Sequence, residues 1–168
     1  MDTERLYKQL DKNDQWIQNA DLKLSIILTF IGVLGGYIIV KENLQPMIKI
    51  ENEWVHLGIA SSFIIASVCL VIGIFCSANG LQASVKNSKR GLWFFGDVAH
   101  YKEWYFFKTA KKNQSDEEFE EDLVNQIHTT AKIAIYKFSW FNRAVFWSKG
   151  TLFFYLIYYI LKFLNLSL

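Results

Sequence analysis

Two stretches decide the fold: LSIILTFIGVLGGYIIV at residues 24–40 and LGIASSFIIASVCLVIGIFCSA at residues 57–78, neither holding an Asp, Glu, Lys or Arg. At 1.5 Å per helical residue the second is about 33 Å long, which matches a hydrocarbon core of roughly 30 Å. The first is about 25 Å long, at the short limit for a span. Lys23 and Lys41 flank it, and their aliphatic stems can lie in apolar surroundings while the ammonium reaches the headgroups. A soluble protein would have to wrap two such helices completely, and a 168-residue chain holds too little polar sequence to do so. The two stretches read as a membrane-spanning helical hairpin.

Composition supports a lipid setting. Aromatic residues make up 17% of the chain, and Trp and Tyr favour the bilayer interface, where a ring can be half wet. The net charge of +2 gives no electrostatic footprint for nucleic acid. Cys69 and Cys76 lie seven residues apart in the second apolar run, too far apart along a helix for a disulfide. They read as small apolar side chains. The first apolar run follows a long charged segment, and no small-residue cleavage pattern comes after it, so no cleavable signal peptide is expected.

Residues 1–23 read as a polar helix that enters the first span without a break. Asn13 or Asp14 can cap a helix start. Trp16, Ala20, Lys23 and Ile27 fall at helical steps on one stripe. Within the first span Gly32 and Gly36 form a small-xxx-small pair, and Ser62 and Ala66 form another in the second. Such faces let helices approach closely, within the hairpin or between subunits.

Lys and Arg are distributed unevenly. The connection at residues 41–56 holds two, residues 1–23 hold four and residues 79–149 hold eleven. The positive-inside rule then places the N-terminus and residues 79–149 in the cytoplasm and the hairpin loop outside. After residue 78 the second helix can continue to Val85, before a basic cluster of Lys86, Lys89 and Arg90. A further helix is expected over 98–112, capped by Asp97, and Ser115 with Glu118 fits a capping box that opens a long helix. The acidic run 116–122 suits the positive end of that helix and reads as solvated. Gln126, Thr130, Ile133, Lys137, Trp140, Ala144 and Trp147 keep one face along it, and Lys137 is the only charge on that stripe. Residues 150–168 make a third span of about 28 Å with Lys162 snorkelling to the far surface, or an amphipathic helix in the interface. In the spanning case Phe138, Trp140, Phe141, Phe146 and Trp147 form an aromatic belt around Arg143 and Lys149.

The fold class is therefore an all-α membrane protein, with a two-span hairpin over 24–78, a cytoplasmic helical module over 79–149 and a third C-terminal helix over 150–168. His56, His100 and His128 are scattered without metal-ligand spacing, and there is no nucleophile elbow or phosphate-binding P-loop. No catalysis and no metal are expected.

Three short motifs then occur in order around the spans: Trp16-Ile-Gln-Asn19-Ala-Asp21-Leu-Lys23, Phe95-Gly96-Asp97-Val98-Ala99, and Asp122-Leu-Val-Asn-Gln126-Ile127 leading to Ala131-Lys132-Ile-Ala-Ile-Tyr136-Lys137. Their order over residues 13–165 resembles the transmembrane effectors of the Pycsar antiphage systems. The resemblance implies that a partner pyrimidine cyclase makes cyclic UMP or cyclic CMP, that the effector senses it in the cytoplasm, and that the inner membrane is then impaired. Membrane lipid is an expected partner, a homo-oligomer is expected through the small-residue faces of the spans, and no cofactor is expected beyond the nucleotide ligand.

A cyclic nucleotide needs a cation for its phosphate, a ring face for its base and polar groups for the base edge. Under the resemblance Lys23, Lys132 and Lys137 are candidates for the phosphate. Trp16 or Phe95 can stack, and Asn19, Asp21, Asp97 and Gln126 offer hydrogen bonds. The other reading of the same chain is a small membrane scaffold or channel subunit with no nucleotide ligand.

Overall fold

A heptad repeat of buried positions runs down the longest helix: Leu123, Thr130, Lys137, Ala144, Thr151 and Tyr158. A seven-residue spacing keeps one seam facing a partner helix, as in coiled coils. The expected stripe through Gln126, Thr130, Ile133, Lys137, Trp140, Ala144 and Trp147 is this seam, each member buried or half-buried. The first helix repeats the pattern with Leu24, Ile31 and Ile38.

The computed structural model describes residues 3–41, 53–82, 92, 98 and 102–166. Among them are four helices and no strand: α1 (Thr3–Lys41), α2 (Glu53–Leu81), α3 (Trp104–Asn113) and α4 (Asp116–Leu166). The all-α architecture is as expected. α1, α2 and α4 are each long and apolar enough to cross a membrane.

Several local expectations shift. α1 already begins at Thr3, so Asn13 and Asp14 are interior residues and cap nothing. α2 ends at Leu81, and Gln82 is already a bend, short of Val85. The helix expected over 98–112 is interrupted, because Glu103 takes an extended conformation and α3 starts only at Trp104. The capping box at the start of α4 forms in full. Ser115 N–H donates to Glu118 Oε2 at 2.9 Å, and Glu118 N–H donates to Ser115 Oγ at 3.2 Å. Each side chain thus satisfies one of the backbone donors that a helix start leaves unpaired.

The chain divides into two compact units. The first comprises Met1–Ala20 and Gln82–Lys137, the second Asp21–Leu81 and Phe138–Leu168. Residues 138–149, read from the sequence as part of the soluble module, thus cluster with the apolar hairpin. The reason is the aromatic content of that stretch: Trp140, Phe141 and Trp147 pack on Leu24, Cys76 and Ala144.

Glycines set the closeness of helices in the second unit. A Cβ built on Gly80 would lie 2.7 Å from Leu24 Cδ1 and 3.0 Å from Trp140 Cβ. On Gly73 it would lie 3.1 Å from Ile31 Cδ1, and on Gly35 3.4 Å from Leu70 Cδ1. Gly32 and Gly36 meet nothing within 4 Å, so that pair makes no contact inside this chain. Ser62 and Ala66 are buried, and Ala66 joins Ile38, Tyr155 and Tyr158 in a core cluster. The buried hydroxyls here bond their own helix: Ser62 to Ile59 O, Ser77 to Gly73 O and Thr151 to Trp147 O. In lipid, where no water can take the bond, such back-bonding removes the penalty of a buried hydroxyl.

Cations mark both ends of this unit. Lys23 Nζ lies 5.6 Å from the Phe138 ring centre and 5.7 Å from that of Phe141, and Arg143 stacks over Trp140. At the other end Lys162 Nζ donates to Tyr158 Oη at 3.1 Å, and Tyr155 Oη donates to Tyr159 Oη at 3.2 Å. Of the five rings expected as a belt, Trp140 carries Arg143, Phe138 and Phe141 face Lys23, and Trp147 packs on the core cluster.

Candidate functional site

The first unit is held by polar contacts as much as by apolar ones. Leu6, Ala20, Leu123 and Ala134 are its buried apolar residues among those described. Between them Asn13 on α1 reaches α4: its Nδ2 donates to Ile127 O at 2.9 Å and to Thr130 Oγ1 at 3.1 Å. The buried Thr130 hydroxyl has two acceptors within 3.0 Å, Gln126 O and Ile127 O. Leu6, Asn13 and Ala20 are spaced by sevens, so Asn13 is a polar residue on an otherwise apolar seam. In coiled coils such a residue fixes register at some cost in stability.

Two turns further along α4 from Thr130, Lys137 is 6% exposed and is the buried charged side chain among the described residues. A buried ammonium is costly unless hydrogen bonded or paired, and Lys137 does have an interaction within the protein. The half-buried Gln126 and the buried Thr130 and Lys137 thus share one face, on which Asn13 bonds Thr130 and the Ile127 carbonyl.

A second polar knot ties α3 to α4. Asp122 Oδ2 accepts from Gln114 Nε2 at 2.8 Å and from the Leu92 N–H at 3.2 Å. Lys111 Nζ donates to Gln114 Oε1 at 3.1 Å and lies 5.2 Å from the Phe119 ring centre. The Phe119 ring in turn meets Tyr7 of α1, centre to centre at 6.5 Å. Asp122 is therefore a structural acceptor, unlike the solvated helix start read from the sequence. Asp14 is the described acid outside the apolar spans whose pKa is displaced. Loss of water around it and then repulsion from Asp11 raise it above the ordinary value near 3.8.

The nine ligand candidates are divided between the two units and the segment outside the described residues. Trp16, Asn19, Gln126, Lys132 and Lys137 fall in the first unit, Asp21 and Lys23 in the second. Phe95 and Asp97 lie outside the described residues. Lys132 is exposed whereas Lys137 is buried, because five residues turn a helix by about 140° and only one of the two can face inward. Lys23 is occupied by two aromatic rings. Asn13, Thr130 and Asp122 were not read as site residues. The seven-residue spacing of Leu6, Asn13 and Ala20 was the available signal for Asn13, and Asp122 opens the third motif without any local sign of its partners.

A sequence model of one protein family, described as the Pycsar effector protein domain, matches residues 5–162. The Pycsar effector protein of Gulbenkiania mobilis is 26% identical over 166 residues, covering 86% of this chain and 84% of that protein. That of Propioniciclava tarda is 25% identical over 148 residues, covering 85% of this chain and 71% of its own length. No solved structure matches.

Proposed function

This chain belongs to the Pycsar effector family, and we propose that it senses a cyclic pyrimidine nucleotide, cyclic UMP or cyclic CMP, and then impairs the inner membrane. The match of the family across residues 5–162 carries this reading, since it spans both the polar unit and the apolar bundle. Antiphage defence by a transmembrane effector follows from the family. The nucleotide comes from a partner pyrimidine cyclase, and the infected cell stops growing before phage are released. The protein binds its ligand and does not transform it.

The first unit is the sensor in this reading, and it lies in the cytoplasm. A 3′,5′-cyclic nucleotide carries one negative charge, for which Lys137 is the buried cation at hand. The Gln126 amide suits the edge of a pyrimidine, and Trp16, 47% exposed, is the aromatic ring proposed to stack on the base. Binding favours whichever arrangement of the α1–α4 seam holds the nucleotide more tightly, and it shifts the protein only by that difference in affinity. The bundle in the membrane, assembled from several copies, responds by admitting solutes.

Calorimetric titration of the full chain in detergent with cyclic UMP, cyclic CMP, cyclic AMP and cyclic GMP tests the sensor. One cyclic pyrimidine is expected to bind. Lys137→Met should weaken it by tenfold or more, the scale of a charge-assisted hydrogen bond. If none of the four binds, the reading is wrong. Vesicles carrying the protein should release dye only when that nucleotide is added.

A further inference from the structure

Lys149 lies level with the middle of the charge-free helices. A Cβ built on the adjacent Gly150 would lie 3.3 Å from Cys69 Sγ. One built on Gly73 would lie 3.7 Å from Trp147 Cβ, 3.9 Å from Ser148 N and 3.1 Å from Ile31 Cδ1. The turn of α4 that carries Lys149 therefore packs against Cys69 and Gly73 of α2, and through Gly73 it is level with Ile31 of α1. Ile31 stands about 12 Å along the helix from Lys23 and about 15 Å from Lys41, near the centre of the charge-free run.

The sequence alone placed Lys149 just before the third span, at a membrane surface. The packing moves it into the span. It is exposed, and so are its α4 neighbours Phe146, Leu152, Phe153 and Leu156. Among the described residues it makes no hydrogen bond, ion pair or ring contact, whereas Arg143 rests on Trp140 and Lys162 on Tyr158. Side chains on a helix lean toward its N-terminus, here toward Trp140 and, across Gly80, Leu24. Trp140 is about 14 Å away along α4. A four-carbon stem reaches roughly 6 Å, so the ammonium cannot snorkel to that surface. An ammonium at this depth is tolerated only if water or headgroups come to it.

We propose that Lys149 is the residue through which the bundle breaches the bilayer: its ammonium draws water and lipid phosphate into the hydrocarbon layer beside α4. The inference rests on the reading that the second unit spans a membrane, and it assigns the membrane impairment proposed above to one side chain.

The test uses full chains with Cys69→Ala and Cys76→Ala in vesicles of phosphatidylethanolamine and phosphatidylglycerol. Phe153→Cys, one turn further along α4 on the same exposed face, reports water through its reaction with a charged, membrane-impermeant maleimide. Leu152→Cys serves as a second reporter. With Lys149 present the thiol is expected to react at least tenfold faster than in the Lys149→Leu background, and Lys149→Arg should restore the rate. Equal rates with and without the lysine, whether both fast or both slow, overturn the proposal. A chain that an alkaline carbonate wash removes from the vesicles overturns it too, because the bundle is then not inserted. Nucleotide titration of the same vesicles separates the two readings. Lysine-dependent labelling without nucleotide binding leaves this inference standing and removes the sensor. Binding with lysine-independent labelling does the reverse.

Discussion

Asn13 of α1 and Thr130 of α4, 117 residues apart in the chain, are joined by a 3.1 Å hydrogen bond. The bond joins a half-buried amide to a buried hydroxyl that also donates to its own helix. It pins α1 against α4 at one register, since sliding either helix by a residue would leave the Asn13 amide without its acceptors.

Asn13→Ala should accordingly lower the thermal stability of the detergent-solubilised protein by about 1–2 kcal/mol, the scale of a lost hydrogen bond plus the stranded acceptors. Thr130→Val removes one acceptor and keeps the shape, so it should cost less. Thermal unfolding by circular dichroism distinguishes them, and equal stability of Asn13→Ala and parent would remove the register argument.

Asp122→Ala deprives the Leu92 N–H and the Gln114 amide of their common acceptor. A loss of about 1.5–3 kcal/mol is expected, the range for bonds to a charged group. Hydrogen exchange should quicken at Leu92 and in the turn between α3 and α4, while the apolar helices keep their protection.

Glycine substitutions should divide by position. Gly80→Ala forces a methyl to within 3.0 Å of Trp140 Cβ, an atom close to the backbone that cannot swing away. Overpacking of this kind costs about 1–3 kcal/mol. Gly32→Ala and Gly36→Ala meet open space and should leave the single chain as stable or up to about 1 kcal/mol more stable through helix propensity. If all three behave alike in thermal denaturation, the close approach at Gly80 is not what holds these helices.

Asp14 gives a pH signature. Its pKa is raised in the folded protein by desolvation and by Asp11, so the folded state holds that proton more tightly than the unfolded chain does. Its contribution is therefore most favourable below about 3.8 and is lost as pH rises through the raised value. Asp14→Asn, with no charge to desolvate, should be more stable than the parent at neutral pH. The difference should close on acidification below about 3.8. Melting temperatures that differ equally at both pH values would contradict this.

What the chain could tell by itself is what local periodicity encodes. Absence of charge over 24–40 and 57–78 marks the hairpin, because lipid rejects charge along the whole length of a helix. The stripe from Gln126 to Trp147 marks the buried face of α4, because a helix repeats its faces every 3.6 residues. Ser115 and Glu118 mark a helix start, because their partners are three residues away. The tertiary structure decided which of several equivalent small residues touch, and so Gly35, Gly73 and Gly80 pack while Gly32 and Gly36 do not. It also decided that Asp122 is an acceptor and that the turn of α4 carrying Lys149 lies against Cys69 and Gly73 of α2. Each of these depends on how far one helix is shifted and rotated against another. That register is settled by the summed packing of side chains from distant parts of the chain, which no short window contains.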